Sequence, residues 1–210
     1  MNFDEEKNCK MIFSSFGFNK PIPAEKFALV IEKAGLEKKS CCVIPYAGFN
    51  VEKTYAREKA GLVYFGFSPD RIFMLEKKEQ ILETVPDYIY VPGGDPFKLL
   101  NHINSLGLRE AIQYCVQSCG TTYIGVSAGA DLATEDIEYV LELEDNNHEQ
   151  KNFSALNLLP EIILCHADHY LYATLRACRE VSGKEVLTIR DDQVIFYENG
   201  AWRYLGEELL

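Results

Sequence analysis

The chain is read as an α/β protein: a mostly parallel sheet with helices on both faces, plus a β-hairpin near the C-terminal end. Three observations lead there. Short, continuous apolar runs such as Cys41-Cys42-Val43-Ile44 and Tyr88-Ile89-Tyr90-Val91 have the character of strands buried on both faces. They alternate with amphipathic stretches of helical period, the rhythm of βαβ units. The last strand-like runs flank Glu198-Asn199-Gly200, a hairpin turn signal.

In order, residues 9–14 form the first expected strand, ending in a Ser-Phe-Gly loop. Pro21 and Pro23 open a helix in which Phe27, Val30, Ile31 and Ala34 share a face and Gly35 is the stop. Residues 41–44 are the second strand, closed by Pro45 and Gly48. Residues 51–62 are a charged amphipathic helix, residues 72–75 a third strand and residues 88–91 a fourth. The turn Pro92-Gly93-Gly94-Asp95-Pro96 follows at once. Residues 96–103 and 108–119 read as helices; in the second, Leu108, Ile112, Cys115, Val116 and Cys119 share a face. Residues 123–125 are a fifth strand. Period two over residues 138–143 suggests another strand with a solvated face of glutamates. Residues 162–165 are a strand ending at His166. Residues 167–182 read as one helix with Leu171, Leu175, Cys178 and Val181 inward. Residues 185–189, 193–197 and 201–205 complete the strands. In such sheets functional loops gather at the carboxyl ends of the strands, where both glycine turns fall.

Composition narrows the function. The 210 residues suit one domain spanning 1–210. Hydrophobic residues are 47% and aromatics 12%, enough for a sizeable core. The formal net charge of −11 argues against general nucleic-acid binding, which needs a basic surface. No apolar run has the length of a membrane span, and Met1-Asn2-Phe3-Asp4-Glu5-Glu6 is too acidic for a signal peptide. The seven cysteines form no C-x-x-C and lie mostly in apolar runs. That points to buried thiols in a reducing cytosol rather than to disulfides or zinc.

The stretch Tyr123-Ile124-Gly125-Val126-Ser127-Ala128-Gly129-Ala130 reads as strand, sharp turn and helix start. Gly125, Ser127 and Gly129 give the G-x-S-x-G spacing of a nucleophile elbow. A serine at the tip of such a turn projects its hydroxyl out of the sheet, and its strained backbone demands small neighbours. The N–H groups opening the following helix face the same spot and can stabilise a developing negative charge. The same pattern also fits a glycine turn that merely closes a βα unit.

Four segments together resemble the peptidase E family of aspartyl dipeptidases, with cyanophycinase as a more distant relative. Val91-Pro92-Gly93-Gly94-Asp95-Pro96-Phe97 with Leu99-Leu100 is similar to the family's Gly-Gly-Gly-Asn-Thr-Phe-x-Leu-Leu segment. Gly125-Val126-Ser127-Ala128-Gly129-Ala130-Asp131 is similar to its Gly-Trp-Ser-Ala-Gly-Ala-Asn elbow. Ala155-Leu156-Asn157-Leu158-Leu159-Pro160, running without a gap to His166, resembles its Ala-Leu-Asn-Leu-x-Pro segment and catalytic histidine. Cys42-Val43-Ile44-Pro45-Tyr46-Ala47-Gly48 resembles its early Ile-Pro-Phe-Ala-Gly strand. The likeness covers nearly the whole chain and implies a flavodoxin-like fold of the class I glutamine amidotransferase kind.

What the resemblance implies is a serine peptidase acting on short peptides, N-terminal Asp-X dipeptides among them; the residues leave monomer and homodimer both open. It implies no metal and no organic cofactor. Ser127 is the expected nucleophile and His166 the expected base, with His169 a secondary candidate. The family's acid follows the nucleophile at a spacing that lands on Glu142; Glu144 and Asp145 can substitute if the register slips. Gly94 and Ala128 would supply the oxyanion N–H groups, and Asp95 and Asp131 are taken as substrate-binding. Departures are Val126 for the family's tryptophan and Asp131 for its asparagine. The family's carboxylate-binding arginine has no aligned counterpart; Arg176 and Arg179 are the nearest basic residues. Two other readings remain: a binding protein that kept the fold without turnover, and amidotransferase-type chemistry, which uses cysteine at the elbow.

Overall fold

The computed structural model describes residues 10–18, 20–198 and 200–206. Seven strands build the main sheet: β1 (Met11–Ser14), β2 (Cys41–Val43), β3 (Ile72–Met74), β4 (Tyr88–Val91), β5 (Thr122–Val126), β8 (Val194–Glu198) and β9 (Ala201–Leu205). Their spatial order is β3-β2-β4-β5-β1-β8-β9. The first five are mutually parallel; β8 runs antiparallel to β1, and β9 antiparallel to β8. A separate parallel pair is formed by β6 (Ile162–Leu164) and β7 (Val186–Thr188). Helices connect the strands: α1 (Pro21–Val30), α2 (Val51–Phe65), α3 (Glu79–Glu83), α4 (Pro96–Ser105), α5 (Arg109–Ser118), α6 (Ala128–Ala133) and α7 (Tyr172–Ser182).

Strand pleating explains the unbroken apolar runs. Successive side chains point to opposite faces, and both faces are covered. Phe13, Ile89, Val91 and Tyr123 belong to one apolar core, with Cys42. Ile12, Tyr90, Ile124 and Val126 belong to the other, with Cys41. Register then positions the two glycine turns. Val91 and Phe13 both lie opposite Gly125, so the carboxyl ends of β4, β5 and β1 stand side by side.

Several expected elements differ. Residues 138–142 are a 3₁₀ helix (Glu138–Glu142), not a strand. Its buried side chains, Tyr139 and Val140, are adjacent in sequence, which an alternating strand does not allow. The expected helix over 167–182 is broken: Ala167–His169 is a 3₁₀ turn, Tyr170 and Leu171 are extended, and α7 follows. Leu171 is therefore 77% exposed rather than inward, while Cys178 is buried. Helix α1 stops at Val30, and the left-handed Gly35 shapes the turn beyond it. Helix α3 was not expected. Cys9 and the hairpin's Asn199 lie outside the described residues. Among the described residues, no helix is long and apolar enough to cross a membrane.

Candidate active site

The elbow is built by close backbone packing. Ser127 has φ 50° and ψ −117°, a conformation that L-residues seldom adopt. Its N–H donates to the Ser14 carbonyl at 3.0 Å, tying the turn to β1. A methyl group on Gly129 would lie 2.0 Å from the Val91 carbonyl oxygen, and one on Gly125 would lie 2.6 Å from that of Gly129. The spacing of G-x-S-x-G is thus a packing requirement: only glycine lets α6 start against the end of β4. On the facing turn, a Cβ on Gly93 would come 2.9 Å from that of Ser127. Gly94, at φ 144°, leaves no room against the Ala47 carbonyl.

His166 reaches this place from the small second sheet. Strands β6 and β7 pair in register, Leu164 opposite Thr188, so the residues just beyond them become neighbours. The Ala167 N–H donates to the Ile189 carbonyl at 3.0 Å. His166 takes a left-handed conformation, φ 57°, and its N–H donates to Ser15 Oγ at 2.8 Å. The Ser15 hydroxyl in turn points to the Ile189 and Arg190 carbonyls. The His166 ring meets Phe16 edge-on at 5.1 Å between centroids. Its Nδ1 lies 2.6 Å from Asp191 Oδ1. The other oxygen of Asp191 meets His169 Nε2 at 2.8 Å, and that hydrogen bond and charge raise the His169 pKa.

Ser127, His166, Gly93 and Gly94 line one cavity of about 360 Å³. Its wall also carries Lys20, Arg57 and Glu58. Glu58 is buried; its Oε2 accepts from the Tyr90 hydroxyl at 2.7 Å and its Oε1 from Arg57 Nε at 2.9 Å. The Lys20 ammonium sits 5.2 Å from the Phe16 ring centre. Ala128 opens α6, so its N–H has no acceptor within the helix.

Other expected site residues lie elsewhere. Glu142 ends the 3₁₀ turn and is exposed; Glu144 and Asp145 follow it in a loop. Among the described residues, the carboxylate hydrogen-bonded to His166 is Asp191, not Glu142. Desolvation and the Asp95 charge raise the pKa of Glu144, whose side chain is exposed, while His166 lowers it. Asp95 does not line the cavity: Oδ1 caps α4 by accepting from the Lys98 N–H at 2.9 Å, and Oδ2 meets His148 Nε2 at 3.0 Å. Asp131 is buried behind the elbow, where Oδ1 accepts from the Tyr139 hydroxyl at 3.0 Å. Burial pushes its carboxyl up to about 8, so it is largely protonated at neutral pH. Arg176 and Arg179 line a different cavity, and Arg176 pairs with Glu180. Sequence reasoning passed over Asp191 and the cavity cations. The signal for Asp191 was an Asp-Asp pair in a short turn between two strands; Arg57 reads as part of a solvated helix face.

Comparison with known proteins places the chain in a peptidase family. The family model described as Peptidase family S51 matches residues 17–205. An uncharacterized peptidase of Listeria innocua is 26% identical, over 78% of this chain and 86% of that protein. A probable alpha-aspartyl dipeptidase of Drosophila melanogaster is 30% identical, over 58% of this chain and 50% of that protein. In fold, the chain is similar to the crystal structure of a putative peptidase E protein from Listeria monocytogenes. The TM-score is 0.77 and the identity 22%, covering 96% of this chain and all of that one.

Proposed function

The chain belongs to peptidase family S51, and on that premise we propose that it cleaves short peptides through an acyl-enzyme on Ser127. Peptide bond hydrolysis needs a nucleophile, a base, a group that orients the base, and donors for the oxyanion. Ser127 Oγ attacks the scissile carbonyl while His166 Nε2 takes its proton. Asp191 holds the proton on His166 Nδ1 and stabilises the imidazolium that forms. The N–H groups of Gly94 and Ala128 receive the negative oxygen. His166 then gives its proton to the leaving amine, and water enters to hydrolyse the acyl-serine by the same route. The observation that carries this reading is the 2.6 Å contact of His166 with Asp191, at the rim of a cavity that Ser127 also lines.

The cavity also supports acidic substrates. It presents two cations, Lys20 and Arg57, against one carboxylate, Glu58, in a chain of net charge −11. A peptide beginning with aspartate would set its side-chain carboxylate toward Lys20 and Arg57. The described cysteines are free thiols, all but Cys119 buried, as suits a reducing cytosol.

A dipeptide panel with Asp and other residues at the first position, run on wild type and Ser127→Ala, tests the proposal. Cleavage of Asp-X that is absent in the variant is the expected result. Cleavage of other dipeptides alone would discard the specificity and keep the mechanism. Turnover by Ser127→Ala at the wild-type rate would discard the mechanism.

A further inference from the structure

Two imidazoles converge on one carboxylate beside the base. One ring nitrogen each of His166 and His169 and an Asp191 oxygen lie within 4.8 Å of one another. His166 Nδ1 approaches Oδ1 at 2.6 Å and His169 Nε2 approaches Oδ2 at 2.8 Å. Asp168 Oδ1 stands 3.9 Å from His169 Nε2. The frame that holds them is already formed: one 3₁₀ turn presents both histidines, and the β6–β7 pairing fixes Asp191 beside them. The side chains are open to solvent, His166 at 26%, His169 at 62% and Asp191 at 27%.

We propose that His166, His169 and Asp191 form an inhibitory binding site for divalent zinc. Two neutral imidazoles and a carboxylate are a donor set zinc accepts, with water in the fourth position. Zinc–ligand bonds of about 2.0–2.2 Å at tetrahedral angles set donor atoms roughly 3.3 Å apart. The contacts of His166 to Oδ1 at 2.6 Å and of His169 to Oδ2 at 2.8 Å are shorter than this spacing, and the two imidazoles must shift onto one Asp191 oxygen to admit the ion. No cysteine takes part, and the remote placement of Asp191 hides the site from any spacing motif.

The consequence for catalysis rests on the proposed role of His166; the binding of zinc does not. An imidazole bound to zinc through Nδ1 carries its remaining proton on Nε2. That nitrogen can no longer accept the Ser127 proton, and Asp191 is held by the ion instead of the ring. Zinc thus holds the base in the wrong tautomer, and its removal restores activity. No bond to substrate and no redox change is involved.

The test uses the full chain carrying Cys119→Ser, which removes the exposed thiol, after treatment with a chelator. Zinc chloride is titrated by calorimetry and by ¹⁵N NMR of labelled histidine. The variant His169→Gln keeps an N–H for Asp191 but offers zinc a poor ligand. The expected result is one zinc per chain, bound at least tenfold more weakly in His169→Gln. His166 should show a metal-bound Nδ1 and a protonated Nε2, which reads the tautomer with or without turnover. Hydrolysis should be lost with zinc, recovered with EDTA, and, measured against each protein's own zinc-free rate, resistant to at least tenfold more zinc in His169→Gln. Equal zinc affinity in wild type and His169→Gln would overturn the site. An unchanged His166 tautomer, or full turnover with zinc bound, would overturn its inhibitory role.

Discussion

Nδ1 of His166 lies 2.6 Å from Oδ1 of Asp191, across 25 residues of sequence that contain α7 and β7. The parallel pairing of β6 with β7 creates this contact, because the chain leaves both strands at the same end. Asp191→Asn keeps the shape but presents an amide that favours the wrong tautomer of His166. It should lower kcat by about 10⁴-fold, the order found when a triad acid is amidated. Glu142→Gln, on the exposed 3₁₀ turn, should stay within about twofold of wild type, as expected of a surface change. Steady-state kinetics on the two variants separates the two carboxylates.

Gly129→Ala should destabilise the fold although alanine is the better helix former. The added carbon would sit 2.0 Å from the Val91 carbonyl oxygen, which belongs to a central strand and has nowhere to go. A cost of about 1–3 kcal/mol is expected from such overpacking. For a chain of this length that lowers Tm by roughly 2–4 °C per kcal/mol. A thermal melt unchanged from wild type would contradict the packing explanation of the G-x-S-x-G spacing.

Asp131 gives stability a pH dependence. Burial raises its folded-state pKa to about 8, far above the ordinary carboxylate value, so the folded state keeps a proton that the unfolded state releases. Its contribution is full below the unfolded pKa and is lost as pH rises through about 8. Across that window one proton costs about 1.4 kcal/mol per pH unit. Asp131→Asn, which keeps an acceptor for the Tyr139 hydroxyl, should flatten the decline in urea unfolding between pH 5 and 8 (a window set by the raised pKa). An identical decline in the variant would assign it to other groups.

Lys20 and Arg57 should set the preference for an acidic first residue. Lys20→Met and Arg57→Gln should each lower kcat/KM for Asp-X by about tenfold, near 1.4 kcal/mol, and leave Ala-X little changed. Equal losses on both substrates would mean that the cations serve the fold or the chemistry instead. Arg57 also neutralises the buried Glu58, so Lys20→Met is the cleaner of the two.

Much of this was legible because it rests on local rules. The elbow reads from two glycines that the backbone geometry demands, and the central strands read from apolar runs covered on both sides. Residues 138–142 read as a strand because their charges alternate, while burial of the adjacent Tyr139 and Val140 is helical. Asp191 was hidden because its partnership with His166 depends on strand pairing between segments that share no local signal. Arg57 was hidden because α2 turns it toward a cavity completed by β4, β5 and the loop after β1.

The most direct test of the central claim is covalent labelling by a fluorophosphonate, mapped by peptide mass spectrometry. A single adduct on Ser127, formed much more slowly in Asp191→Asn, is the predicted result. No adduct on folded wild-type protein, or an adduct on another residue, would contradict Ser127 as the nucleophile.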